Sequence, residues 1–248
     1  MTRQEIRDIA RKRLGETTSA FWTDAELNIY INLGCSDIAW RTKCLRTNGI
    51  INVASCEQNI IAEVSNEFVL STAFPNIFAI TDVYFQDQVG GGGDYRRLTP
   101  TTTEELDVLN GDWRSLIGRT YLDTGSGITY YNYESQPSTP IYYYWDREED
   151  YMGIWPPPDD VQDGAPMKCY YTYDHTEMSS DSAVPEIPSG IHLAVVDFTV
   201  ATGLEDRGWG DRANDMWNKY TLKLKDYVTE RKNEREDEET IMKNYRNI

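Results

Sequence analysis

The chain has 248 residues, 40% of them hydrophobic, and a formal net charge of -17. That length supports one large domain or two small ones with a real core, and no apolar run approaches the ~20 residues that a membrane span needs. So acidic a chain does not hold nucleic acid through a general phosphate-neutralising surface, which takes clustered Lys and Arg, although beside DNA it acts by repelling it.

The start, MTRQEIRDIARKRLG, is polar and periodic, without the apolar stretch of a secretion signal. Thr2 and Glu5 form a capping box. Ile6, Ile9, Ala10 and Leu14 recur at helical spacing, and Gly15 is the stop. FWTDAELNIYINLGCSDIAWRTKCL repeats the logic with Thr23 and Glu26, and Phe21 or Trp22 is placed as a staple before the cap. Its apolar stripe is Leu27, Tyr30, Ile31, Gly34 and Ile38.

From about Ile50 the period changes to two. QNIIAEV, EFVLS and IFAITDVYFQD read as strands between turn residues. VGGGGDYRR has no Lys-Ser/Thr after its glycines, so it reads as a hairpin tip and not as a phosphate loop. TPTTTEELDVLNGD reads as a short helix with a Thr cap, stopped at Asn110-Gly111. Further strands are expected near 119–123, 128–133, 140–145, 151–155 and 167–173, in a stretch dense in tyrosine. WPPPDD ends its strand, because proline donates nothing to a ladder. Seven acids between Asp146 and Asp163 face one base, Arg147, and lack the loop spacing of an EF-hand, so they read as solvated surface or as the face toward a cationic partner.

Within this region LDTGSG, Leu122 to Gly127, has the form of an aspartic protease signature. That chemistry needs two carboxylates sharing one proton. The chain holds no second Asp-Thr/Ser-Gly, so only a two-fold dimer pairing two copies of Asp123 would supply it. RTYLD and ITYYNY flank TGSG as strand, turn, strand, and a hairpin is the better reading. Neither His175 nor His192 can be placed in a Ser/His/Asp set. His175 beside Asp174 reads as a surface pair, and His192 as a packed or capping residue. Four cysteines (Cys35, Cys44, Cys56, Cys169) without a CxxC pair give no zinc spacing and read as reduced thiols. No metal, cofactor or catalytic residue is assigned, and the chain is expected not to be an enzyme.

After the loop SSDSAVPEIPSG, helices return. IHLAVVDFTVATGLE is apolar nearly all round and is expected to be packed on several sides, with Asp197 half-buried and bonded to a neighbouring Lys, Arg or cap. After RGWG, the residues Ala213, Met216, Trp217, Tyr220, Leu224, Tyr227 and Val228 mark an amphipathic helix. Seven acids and four bases follow between Lys225 and Glu239, and the helix is expected to leave the bundle there as a solvated arm. Ile241, Met242, Tyr245 and Ile248 then form a terminal apolar patch, either a frayed end or a docking segment.

The order is helix, helix, long β insertion, helix, helix. The expected class is α+β: a helical bundle built from N-terminal and C-terminal helix pairs (1–48 and 186–230), an inserted antiparallel β-rich domain (49–185) and a charged C-terminal arm (231–248). Leu27, Tyr30, Ile31, Ile38, Phe198, Trp217, Tyr220 and Leu224 are the expected bundle packing.

FWTDAELNIYINLGCSDIAWRT resembles the N-terminal helix pair of tailed-bacteriophage head-to-tail adaptor (connector, head completion) proteins. IWPPPDD resembles their strand ending in Pro-Pro, and IPSGIHLAVVDFTVATGLEDRGWGDRANDMWNKYTLKL resembles their closing helix pair. The resemblance covers about half of the chain; no single motif is specific, but their order is. It implies a structural virion protein in the neck, assembled in the host cytoplasm. There a twelvefold ring (a dodecamer) joins the portal protein to a tail or nozzle protein and continues the DNA channel, through which genomic DNA passes without specific binding. It implies no membrane partner. It also makes Arg231, Arg235, Ile241, Met242, Tyr245 and Ile248 the portal-binding candidates. The competing reading is a carbohydrate-binding or hydrolytic tail-associated protein using the tyrosine-rich β region.

Overall fold

The computed structural model describes residues 1–16, 21–52, 67–69, 73–74, 76–86, 94–109, 139–146, 151–156 and 164–245, as backbone alone at 67–69, 109, 146 and 234–245. The chain divides into two compact units, Met1–Leu45 with Asp174–Ile248, and Arg46–Tyr173. Helices and antiparallel sheets make it an α+β protein.

The first unit holds α1 (Arg3–Leu14), α2 (Asp24–Thr42), α4 (His192–Asp206) and α5 (Gly210–Tyr245). Both N-terminal capping boxes form. The Thr2 and Thr23 side chains accept from the Glu5 and Glu26 backbone N–H groups, and each glutamate reaches back to its cap. Gly15 ends α1 at φ 84°, a left-handed position that a Cβ disfavours. The near-continuous apolar surface of α4 is satisfied because it packs against α1, α2 and α5 at once. Two close approaches depend on glycine: a Cβ on Gly34 would stand 2.9 Å from the Phe198 ring, and one on Gly203 would stand 3.2 Å from Trp22 Nε1.

Among the described residues the second unit holds two four-stranded sheets. With β1 (Arg46–Asn52), β2 (Glu67–Val69), β3 (Ile77–Gln86), β4 (Tyr95–Arg97), β5 (Thr99–Pro100), β6 (Tyr142–Asp146), β7 (Tyr151–Trp155) and β8 (Pro166–Tyr173), the orders are β1-β8-β3-β4 and β2-β7-β6-β5. All pairs are antiparallel except the two-residue pair β5–β6. The sheets share one core, including Val83, Phe85, Tyr143, Met152, Ile154, Met167 and Cys169. A third element, α3 (Thr103–Leu109), brings Leu106 against Tyr144 and Trp155 on the other face of the second sheet.

Strand alternation explains the run Tyr142-Tyr143-Tyr144-Trp145. Tyr143 and Trp145 enter the intersheet core, while Tyr142 and Tyr144 turn to the α3 side. These tyrosines are packing residues on a strand covered on both faces. Gly153, opposite Tyr144, has no room for a side chain: a Cβ there would lie 2.1 Å from Tyr144 Cζ.

The expected strands at 67–71, 77–87, 140–145, 151–155 and 167–173 appear, trimmed or shifted by a few residues. The chain becomes extended at Arg46, earlier than Ile50, because RTNGIIN is held by its register with β8, Arg46 opposite Thr172. The segment after the four glycines forms β4 and pairs back on β3, Gln86 opposite Tyr95. The readings of QNIIAEV, of strands 119–123 and 128–133, of LDTGSG, of Asn110-Gly111 and of the acids at 147–150 and 157–163 lie outside the described residues.

Candidate interaction site

The helical unit spends its interior charges on its own assembly. Arg3, Arg7 and Arg11 recur every four residues on one face of α1 and are all buried. Arg3 donates to Met178 O at 2.6 Å and to Asp181 at 2.9 Å, and Arg7 grips both Asp181 oxygens at 2.9 Å. Arg11 donates to Asp24 at 2.5 Å and to Glu16 at 3.2 Å. The backbone N–H groups of Arg3 and Gln4 add bonds to Ala183 O and Asp181 O. The segment 174–188, which includes most of the loop SSDSAVPEIPSG, is thereby latched to the start of α1. Bonds from Arg7 and Arg3 hold the Asp181 carboxyl down to about 2.

Asp197 is 0% exposed, more buried than its neighbours in sequence suggest, and accepts from Arg13 on α1 and Lys223 on α5. A buried carboxylate with two cationic donors ties three helices together. His192 is a packed residue, its Nε2 donating to Ile187 O at 2.9 Å. His175 departs from the surface reading: its side chain is buried and neither ring nitrogen has a hydrogen-bond partner. Glu186 Oε2 stands 3.5 Å from Nδ1, at the outer limit of reach. Burial pushes both histidines below their ordinary value.

Leu27, Ile31 and Ile38 are fully buried, and Tyr220 and Leu224 nearly so. Phe198, Trp217 and Tyr220 meet edge to face, with ring centroids 5.2 to 5.8 Å apart. Tyr30 is half-buried and donates to Asp206, and Tyr220 donates to Asp37. Trp22 is buried, with its indole N–H on Gly203 O at 3.2 Å, while Phe21 stacks on Trp209 at the α4–α5 corner.

α5 runs past the start of α4. Lys223 Nζ lies 3.4 Å from Leu193 O, so the level of residue 223 is already the first turn of α4. The helix nevertheless continues to Tyr245, which adds about 33 Å at 1.5 Å per residue. Arg231 lies over the Tyr227 ring at 5.7 Å. Arg235, Ile241, Met242 and Tyr245 are on the continuing helical backbone, and Ile248 lies outside the described residues.

Among the described residues no group of three or more His, Cys, Asp or Glu side chains could hold a metal ion, and no helix is long and apolar enough to cross a membrane. The chain thus combines a helical unit with internally paired charges and a unit of two antiparallel sheets. The family model described as SU10 adaptor protein matches residues 1–241, and the chain belongs to that family of phage head-to-tail adaptors. The protein is accordingly a structural adaptor of phage particles that associates with other head and tail proteins. No curated protein matches the chain.

Proposed function

We propose that the protein forms a twelvefold ring in the neck of the virion, between the portal and a tail or nozzle protein, and that the ring continues the DNA channel. The distal part of α5, with Arg231, Arg235, Ile241, Met242, Tyr245 and the terminal Ile248, is the portal-binding element. The β unit faces the tail or neighbouring copies. The observation that carries this reading is the overrun of α5 past the start of α4, which leaves some 20 helical residues without α4 beside them. Amphipathic helices of this kind dock in a partner's groove. The charge of -17 suits a channel wall, since an acidic surface lets DNA slide without sticking. Assembly takes place in the host cytoplasm.

Truncation after Val228 tests the arm. The shortened chain is expected to keep the thermal transition of the full protein and to lose co-sedimentation with portal particles. Undiminished binding to portals by the truncated chain contradicts the assignment of the arm.

A further inference from the structure

After β8 the chain enters the helical unit through an irregular stretch, 174–177, that is fixed at both ends. On one side Tyr173 closes β8, paired opposite Ile77. On the other the Met178 backbone is clasped twice. Its N–H donates to Asn32 Oδ1 at 3.1 Å, and its carbonyl accepts from Arg3 Nη1 at 2.6 Å. Between these anchors Thr176 and Glu177 are exposed and Asp174 is half-buried, while the His175 side chain is 1% exposed. Two carboxylates hold the backbone of the stretch: the His175 N–H donates to Asp174 Oδ1 at 2.6 Å, and the Thr176 N–H donates to Glu186 Oε2 at 3.2 Å.

The buried ring is poorly matched to its site. A neutral imidazole carries one donor and one acceptor, and each costs free energy when it is buried unpaired. Among the described residues neither nitrogen of the His175 ring has a hydrogen-bond partner. The carboxylate nearest to it is that of Glu186, 3.5 Å from Nδ1 and itself 40% exposed, so it marks the way from the ring to solvent. A proton turns both ring nitrogens into donors. Nδ1–H can turn to Glu186, but Nε2–H faces no acceptor among the described residues. Burial holds the imidazole below its ordinary 6.5, outweighing the two carboxylates that act on it, Glu186 and Asp174. On α2 the titratable group within the field of Glu186 is Cys35, whose thiol burial pushes up to about 12 and so keeps neutral. We propose that 174–177 is a proton-operated flap: the His175 ring is stowed while neutral and swings out to water once protonated, with Tyr173 and Met178 as the fixed ends.

This opening is local and distinct from unfolding of the helical unit. The grip of Arg3 and Arg7 on Asp181, whose carboxyl stands near 2, outlasts the flap as pH falls, so the segment beyond Met178 stays latched. The open stretch has an ordinary imidazole and the closed one a depressed imidazole. The closed form is therefore fully stable above 6.5 and loses ground as pH falls from there toward the folded value.

Hydrogen exchange of the full chain, followed from about pH 7.5 to about pH 5 and corrected for the intrinsic chemical rate, tests the flap. The amides of His175 and Thr176 should lose protection by up to about tenfold per pH unit below 6.5, the effect of one proton, while those of α4 keep theirs. His175→Gln removes the titrating group, and exchange at 175 and 176 should then be independent of pH. Glu186→Gln keeps an acceptor for the Thr176 N–H and removes the nearer carboxylate, so its flap should open further than the parent's at the same acid pH. In the native parent the His175 ring should titrate below 6.5 by NMR. A ring that titrates at or above that value overturns the proposal. So does protection at 175 and 176 that ignores pH in the parent, that falls in step with α4, or that stays acid-sensitive in His175→Gln.

Discussion

Arg3 and Arg7 both donate to Asp181, and the consequence is a stability term with a defined pH window. The carboxyl stands near 2 in the fold against an ordinary 3.8. A depressed acid contributes stability that is complete above the unfolded value and lost as pH falls through the folded one. The melting difference between the parent and Asp181→Asn should therefore be constant above about pH 5, shrink as pH falls through about 2 and be gone by about pH 1. A difference that persists unchanged below pH 2 contradicts the ion-pair account. The histidines act in a different window. His175 and His192 are buried and held below 6.5, so the unfolded chain takes up protons first and the fold loses stability as pH drops below 6.5. Thermal melts from about pH 8 to about pH 5 should show a shallower decline for His175→Gln than for the parent. Equal slopes would assign the decline elsewhere.

At the scale of elements, what could be read from the sequence divides by range. The capping boxes at Thr2 and Thr23 were legible because donor and acceptor lie three residues apart. The all-round apolar face of the helix at 192–206 was legible because burial on three sides leaves no polar stripe. Long-range partners were not. Nothing near Asp181 in sequence announces Arg3 and Arg7, and nothing near His175 announces its burial. β1 was read late because RTNGIIN owes its extension to β8 and not to its own propensity. The β unit offers a direct packing test. Gly153→Ala forces a methyl into the Tyr144 ring and should lower stability by about 2 kcal/mol, read as a lower midpoint in denaturant unfolding. An unchanged midpoint would mean that Tyr144 moves aside freely.

At the scale of the molecule, the family fixes the adaptor role, and the fold supplies parts that suit it. Within the helical unit Asp197 binds α1 and α5 to α4, and Arg3 and Arg7 of α1 fasten the segment 174–188. In that unit α5 continues past the level of the first turn of α4. The double sheet buries Tyr143, Tyr144 and Tyr171 in packing, while Tyr95 is exposed. Electron microscopy of the full-length protein mixed with its portal is the most direct test of the ring. The account predicts twelvefold rings stacked coaxially on portals. Portals that remain bare beside unassembled protein, or rings of another symmetry, would contradict it.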